Sequence, residues 1–407
     1  MSVENVETLV IGGGQAGIAM SEHLGALALP HLVVERNRIA ERWRSERWDS
    51  LVANGPAWHD RFPNKQFERT GPDGFAPARE IVDYLLGYAA QVKAPLRTGV
   101  EVKALRKHGD LFIAETSLGQ IEAKNVIAAT GPFQRPLIPT VVPEAAGLMQ
   151  LHSAHYRNPA QLPEGAVMVI GAGSSGVQIA DELRKAGRQV YLSVGPHDRP
   201  PRRYRGKDFV WWLGVLGMWN AEAIEPAMAH VTIAVSGADG GHTVDFRRLA
   251  ADGITLVGRT GAYENSALHF ASDLAKNITL GDANYLNMLD AADAYAAREG
   301  LDLPEEPEAR RMEPDPDCVT NPLLKLDLRQ AGVNTIIWAT GYALDFGWMQ
   351  FDIFDQQGNP RHHRGVSAVP GLYFLGLPWL SRRASAFIWG VWHDAKYLAE
   401  HIATRRS

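Results

Sequence analysis

Val6–Gly17 reads VETLVIGGGQAG, and Ala166–Gly176 reads AVMVIGAGSSG. In each, an apolar β-branched run opens into G-x-G-x-x-G and then into a helical pattern. The physics of such a turn is specific. Its first glycine (Gly12, Gly171) permits a tight turn. The second (Gly14, Gly173) lets a pyrophosphate approach the backbone, and the third (Gly17, Gly176) lets helix and strand pack closely. Gln15 and Ala16 in one turn, and Ser174 and Ser175 in the other, open helices whose free N–H groups face the phosphates. One such turn is weak evidence. Two, each between a strand and a helix, predict an α/β chain with two Rossmann-like dinucleotide-binding domains.

Composition narrows the partners. The 407 residues carry 45% hydrophobic content and a net charge of −5, with no basic stripe to favour nucleic acid. The first strand begins almost at the N-terminus, which leaves no room for a signal peptide. Phe209–Trp219 (FVWWLGVLGMW) is shorter than the roughly 20 residues a membrane span needs and reads as buried core. A cytoplasmic location is therefore expected. Cys318 is the one cysteine, so no redox dithiol can form within the chain. His362-His363 reads as a surface pair, and no metal site is expected.

The first half continues with His31–Glu35 as a second strand. Glu35 stands about 20 residues beyond the glycines, where a carboxylate bonds the adenosine ribose; Arg36 follows it. Arg42–Asn54 (RWRSERWDSLVAN) places Trp43 and Trp48 where they could flank a flavin ring, and reads as an irregular loop. Arg79–Ala90 is helical, and Val100–Thr130 reads as a small antiparallel insertion. Prolines from Pro132 to Pro163 mark a linker. In the second domain, Gln189–Val194 is the second strand and ends at Ser193, with no carboxylate to repel a 2′-phosphate. Arg199, Arg202, Arg203, Arg205 and Lys207 follow, and Arg202 and Arg203 are assigned to that phosphate. Tyr285–Arg298 reads as a helix, Gly371–Gly376 as a strand and Ser385–Ala403 as a closing helix.

Trp43, then Arg47-Trp48-Asp49-Ser50-Leu51, then Ala53-Asn54-Gly55-Pro56 resemble the flavin-containing monooxygenases, including the plant YUCCA-type proteins. Ala129-Thr130-Gly131 and Ala339-Thr340-Gly341 resemble that family's A-T-G turns. Gly147, His152, Tyr156 and Arg157 resemble its fingerprint segment, with Ala145 replacing a phenylalanine and one extra residue before His152. The resemblance implies FAD on the first turn and NADPH on the second. It further implies transfer of one oxygen atom from O2 to a small substrate through a C4a-hydroperoxyflavin. Asn54 would lie at the flavin's reactive edge, Val102 at the adenine, Gly376 at the FAD, and His152 at the hinge. Residues 1–150 and 323–407 would form the FAD domain, with the NADPH domain, 151–322, inserted between them. A homodimer remains an alternative to a monomer. Two other readings stay open, a reductase feeding a quinone or ferredoxin-like partner and a flavin redox sensor without enzymatic activity.

Overall fold

Thr8, Leu9 and Val10 are fully buried in succession, which requires a strand covered on both faces. The computed structural model, which describes residues 3–222 and 232–406, provides that cover. Its first half runs β1 (Val3–Ile11), α1 (Gln15–Ala26), β2 (His31–Glu35), α2 (Glu41–Ser45), α3 (Ala78–Gln91), β3 (Leu96–Thr98), β4 (Val102–His108), β5 (Leu111–Thr116) and β6 (Gly119–Ala128). β1 pairs in parallel with β2, Leu9 opposite Leu32, and with β6, Leu9 opposite Val126. β4 and β5 form the expected antiparallel insertion, which pairs with the start of β6. The end of β6 then serves as a central strand of the parallel sheet.

The second half contains β7 (Met149–His152), β8 (Ala166–Ile170), α4 (Ser174–Lys185), β9 (Val190–Ser193), α5 (Phe209–Val215), β10 (Ile254–Val257), α6 (Leu274–Arg298), β11 (Val333–Trp338), β12 (Leu372–Phe374) and α7 (Ile388–Arg406). A five-stranded parallel sheet has the order β10–β9–β8–β11–β7. β12 joins the first sheet beside β6, and α7 packs against α1. Thr260–Glu264, Ala267–Phe270 and Lys325–Asp327 make a separate antiparallel sheet.

Three boundaries differ from expectation. The return to the first domain is expected at residue 323; β11 pairs within the second sheet, and the chain re-enters the first sheet at His362–His363 and Val366–Ser367, which pair antiparallel and lead into β12. A buried apolar strand carries no mark of which parallel sheet it will enter. Part of the Arg42–Asn54 stretch forms the short helix α2. The predicted Tyr285 helix starts eleven residues earlier, at Leu274. Gly281, inside this helix, marks close packing, because a Cβ there would lie 2.5 Å from His197 Nε2. Phe209, Val210, Trp212 and Leu213 of α5 are buried, as the core reading required.

His152 ends β7 and ties the linker to the second A-T-G turn. Its Nδ1 accepts the Ala154 N–H at 3.1 Å, so Nε2 carries the proton and donates to Gly341 O at 2.9 Å. Burial lowers the pKa from 6.5 to about 4, so the folded ring stays neutral. As pH falls the unfolded chain takes up this proton first, and stability is lost between about 6.5 and about 4. His152→Asn should therefore be less stable at neutral pH and show a shallower fall across that window. Denaturant midpoints measured against pH check both.

Candidate cofactor and active site

The first glycine turn is defined by what cannot be added to it. Gly12 has φ +120°, and a Cβ there would sit 2.5 Å from Ala129 O, just before Thr130. A Cβ on Gly17 would lie 1.9 Å from Gly12 O. At Gly14, by contrast, a Cβ would meet nothing within 4 Å. Helix α1 begins at Gln15 without a side-chain cap, so its first N–H groups keep their capacity for an anion.

Around this turn the structure gathers most of the predicted first-domain residues. Glu35 Oε2 accepts the Gly13 N–H and Oε1 the Asn37 N–H, both at 2.8 Å. A carboxylate has about four acceptor positions, so capacity remains for ribose hydroxyls. Arg36 is exposed beside it. Val102 opens β4, close to Val100, whose N–H bonds Glu35 O. Gly131 has φ +71°, and Gln134 Nε2 donates to Thr130 Oγ1 at 2.8 Å. Gly376 comes so close to α1 that a Cβ would lie 2.9 Å from Ala16 Cβ. Gln15 Nε2 reaches Ala386 O just before α7.

The second turn repeats the first. Gly171 has φ +107°, with 2.4 Å between a built Cβ and Ala339 O, and a Cβ on Gly176 would lie 1.8 Å from Gly171 O. Ser174 Oγ donates to Ile233 O, Ser175 is half-buried, and α4 also lacks a side-chain cap. Thr340 and Gly341 follow directly, Gly341 at φ +80°. Gly173 is the tighter of the two second glycines, with Thr232 Cγ2 3.1 Å from a built Cβ.

Asn54 connects the two halves. Its Oδ1 accepts from Gln178 Nε2 of α4 at 2.9 Å, and its carbonyl accepts from Arg202 Nη1 at 2.6 Å. Nδ2 has no protein partner among the described residues. Gln178 was missed at the sequence level. The available signal was a polar residue on the otherwise apolar buried face of α4.

Several assignments shift. Arg202 is 3% exposed and bound to Asp208 through Nε at 3.0 Å and Nη2 at 2.5 and 2.6 Å. Its guanidinium lies over Phe75 and Phe209. Burial lowers its pKa while Asp208 opposes that shift. Arg199 is likewise held by Asp282 and Asp245, and Arg205 by Asp293. This run of arginines looked free for a phosphate because the sequence hides their partners. Arg203 is exposed, bonding Gly240 O and Gly241 O. Ser193 Oγ is spent on Gly258 O and Thr260. Arg259, overlooked earlier, packs its side chain beside Gly195 just past β9. Trp48 is buried in the second-domain core with Leu51 and Tyr156. Trp43 is half-buried against both cores, under the Arg47 guanidinium. Among the described residues no group of His, Cys, Asp or Glu could hold a metal ion, and no helix is long and apolar enough to cross a membrane.

Two uncapped glycine turns, each closed by an A-T-G turn, define a paired dinucleotide-binding oxidoreductase. Residues 9–214 match the pyridine nucleotide-disulphide oxidoreductases, and the chain belongs to that family. It is 34% identical over 402 residues to an uncharacterized CzcO-like oxidoreductase of Geobacillus kaustophilus, covering 98% of each chain. A probable indole-3-pyruvate monooxygenase, YUCCA1 of Arabidopsis thaliana, is 27% identical over 192 residues, 46% of each. The fold matches a flavin-containing monooxygenase of Stenotrophomonas maltophilia with a TM-score of 0.69 at 20% identity, across 99% of this chain and 100% of that one. The resemblance to flavin-containing monooxygenases is borne out, and the protein is an oxidoreductase of this family. A dithiol within the chain cannot form, because the sequence holds one cysteine. Cys318 stands alone, and burial raises its thiol pKa.

Arg202→Ala should cost about 2–4 kcal/mol, because it empties a buried guanidinium site and leaves the partly buried Asp208 carboxylate without its partner. It should weaken turnover with NADPH and NADH alike, while Arg203→Ala stays within about 0.5 kcal/mol of wild type. Chemical denaturation and paired steady-state kinetics test this. A loss confined to NADPH in Arg202→Ala would return that residue to the 2′-phosphate.

Proposed function

We propose that this chain is an FAD-dependent, NADPH-consuming monooxygenase that inserts one oxygen atom from O2 into a small organic substrate. The observation that carries this reading is the Asn54 turn. It belongs to the first domain in sequence but is gripped by Gln178 and Arg202 of the second, at the junction of the two cradles. FAD would be held by Gly12, Gly14, Gly17, Glu35, Val102, Thr130, Gly131 and Gly376. NADPH would be held by Gly171, Gly173, Ser174, Ser175, Gly176, Ala339, Thr340 and Gly341. The open direction at Gly14 and the uncapped start of α1 fit a pyrophosphate there.

Bound flavin would supply the redox chemistry, taking a hydride from NADPH and activating O2 so that one atom reaches substrate and the other leaves as water. The protein's share is orientation and exclusion of water. Asn54 offers two N–H donors from Nδ2, and its Oδ1 is already fixed by Gln178. A donor held in advance stabilises developing negative charge without reorganising at the moment of reaction. The lack of a carboxylate at Ser193 leaves the second cradle compatible with a 2′-phosphate.

Asn54→Asp separates the two roles of the amide. A carboxylate can still accept from Gln178 but has no donor to offer. The variant should bind FAD and be reduced by NADPH normally. Product per NADPH should fall on the order of tenfold or more, with hydrogen peroxide rising to match. Coupling is read from NADPH consumption, peroxide release and oxygen-18 incorporation into product. Undiminished coupling would reduce Asn54 to a turn residue.

A further inference from the structure

His59 is a buried imidazole with one nitrogen unused, five residues beyond Asn54. The residue is 6% exposed. Its Nδ1 lies 2.9 Å from Asp60 Oδ1, and Asp60 Oδ2 accepts the Gly55 N–H at 3.0 Å. A Cβ on Gly55 would lie 2.4 Å from Asp60 Oδ1, so only glycine lets the carboxylate rest on this turn. Asp60 thus ties His59 to the turn that carries Asn54. Because an ionised carboxylate only accepts, the neutral ring keeps its proton on Nδ1 and presents Nε2 as an acceptor.

Nε2 has no hydrogen-bond partner among the described residues, although it is buried. Burying an acceptor without a partner costs its hydration with no return, and native proteins seldom leave one unfilled. Its surroundings are aromatic. The His59 ring stacks on Trp219 at 4.9 Å between centroids, with Trp58 edge-on and Trp389 tilted, both at 5.6 Å. Trp219 is fixed by its Nε1 donating to Val210 O, and it meets Phe387 at 5.3 Å. Phe387 is exposed, immediately before α7. One acceptor among flat apolar rings matches a flat apolar ligand carrying one donor.

We propose that His59 recognises substrate. Nε2 accepts a hydrogen bond from the O–H or N–H of an aromatic substrate that packs among Trp58, Trp219 and Trp389. This names a substrate class for the site proposed above and rests on that reading. An acceptor dedicated to a substrate donor discriminates strongly against analogues that lack it, because they leave it unpaired.

Isothermal titration of the FAD-loaded protein with 4-methylphenol and with 4-fluorotoluene tests the assignment. The two are nearly the same size, and only the phenol donates. The wild type should bind 4-methylphenol at least tenfold more tightly. His59→Phe should bring the two within about twofold, whereas His59→Gln, whose amide oxygen accepts, should keep a preference. Asp60→Asn, which no longer fixes the tautomer, should show a reduced one. Equal binding in the wild type, no saturable binding of 4-methylphenol, or a full preference in His59→Phe overturns the proposal. The wild-type comparison stands even where a variant loses its flavin. A phenol preference without oxygen transfer to any substrate would sink the monooxygenase reading and leave this site standing.

Discussion

No side chain fits where either glycine turn passes beneath its own helix. A Cβ on Gly17 would lie 1.9 Å from Gly12 O, and one on Gly176 would lie 1.8 Å from Gly171 O. The same crowding repeats one layer out, where Gly12 meets Ala129 O and Gly171 meets Ala339 O. Each helix therefore starts directly on the carboxyl end of its strand, pressed against an A-T-G turn. That is the edge of an open parallel sheet where ligands bind. The construction appears twice, and the only second glycine left wholly open is Gly14. Backbone crowding thus sets where the helix N-termini point, and their unpaired N–H groups set what they attract.

Buried charge then joins the halves. Arg202 reaches Asp208, the Asn54 carbonyl and two phenylalanine faces from one planar group. Such a pair adds little net stability over an apolar replacement, but its geometry is specific, and losing one partner is costly. Gln178 adds a neutral bond to the Asn54 side chain. The Asn54 turn is therefore oriented by residues of the second half. A change in the second cradle can reach Asn54 through either contact.

Much of this was legible because it is local. The runs at β1, β2 and β8, the glycine spacings and Glu35 are short-range patterns with a physical cause, and the structure places them together. What stayed hidden depended on partners distant in sequence. Arg202 looked free because Asp208 could as easily have faced solvent. Only the fold shows that Trp48 packs with Leu51 and Tyr156. β11 was assigned to the first domain because a buried parallel strand reads alike in either sheet. His59-Asp60 has no spacing signature at all. Adjacent residues seldom pair, and here they do so because the carboxylate is held flat on Gly55.

The central claim is that the first turn is shaped for a pyrophosphate, and Gly14→Ala tests it most directly. The added methyl meets nothing within 4 Å in the protein, so the apoprotein should keep its stability to within about 1 kcal/mol. Equilibrium titration with FAD should then show affinity lowered at least tenfold, because the methyl occupies the path by which the pyrophosphate nears the backbone. Wild-type FAD affinity in a folded Gly14→Ala protein would contradict the account.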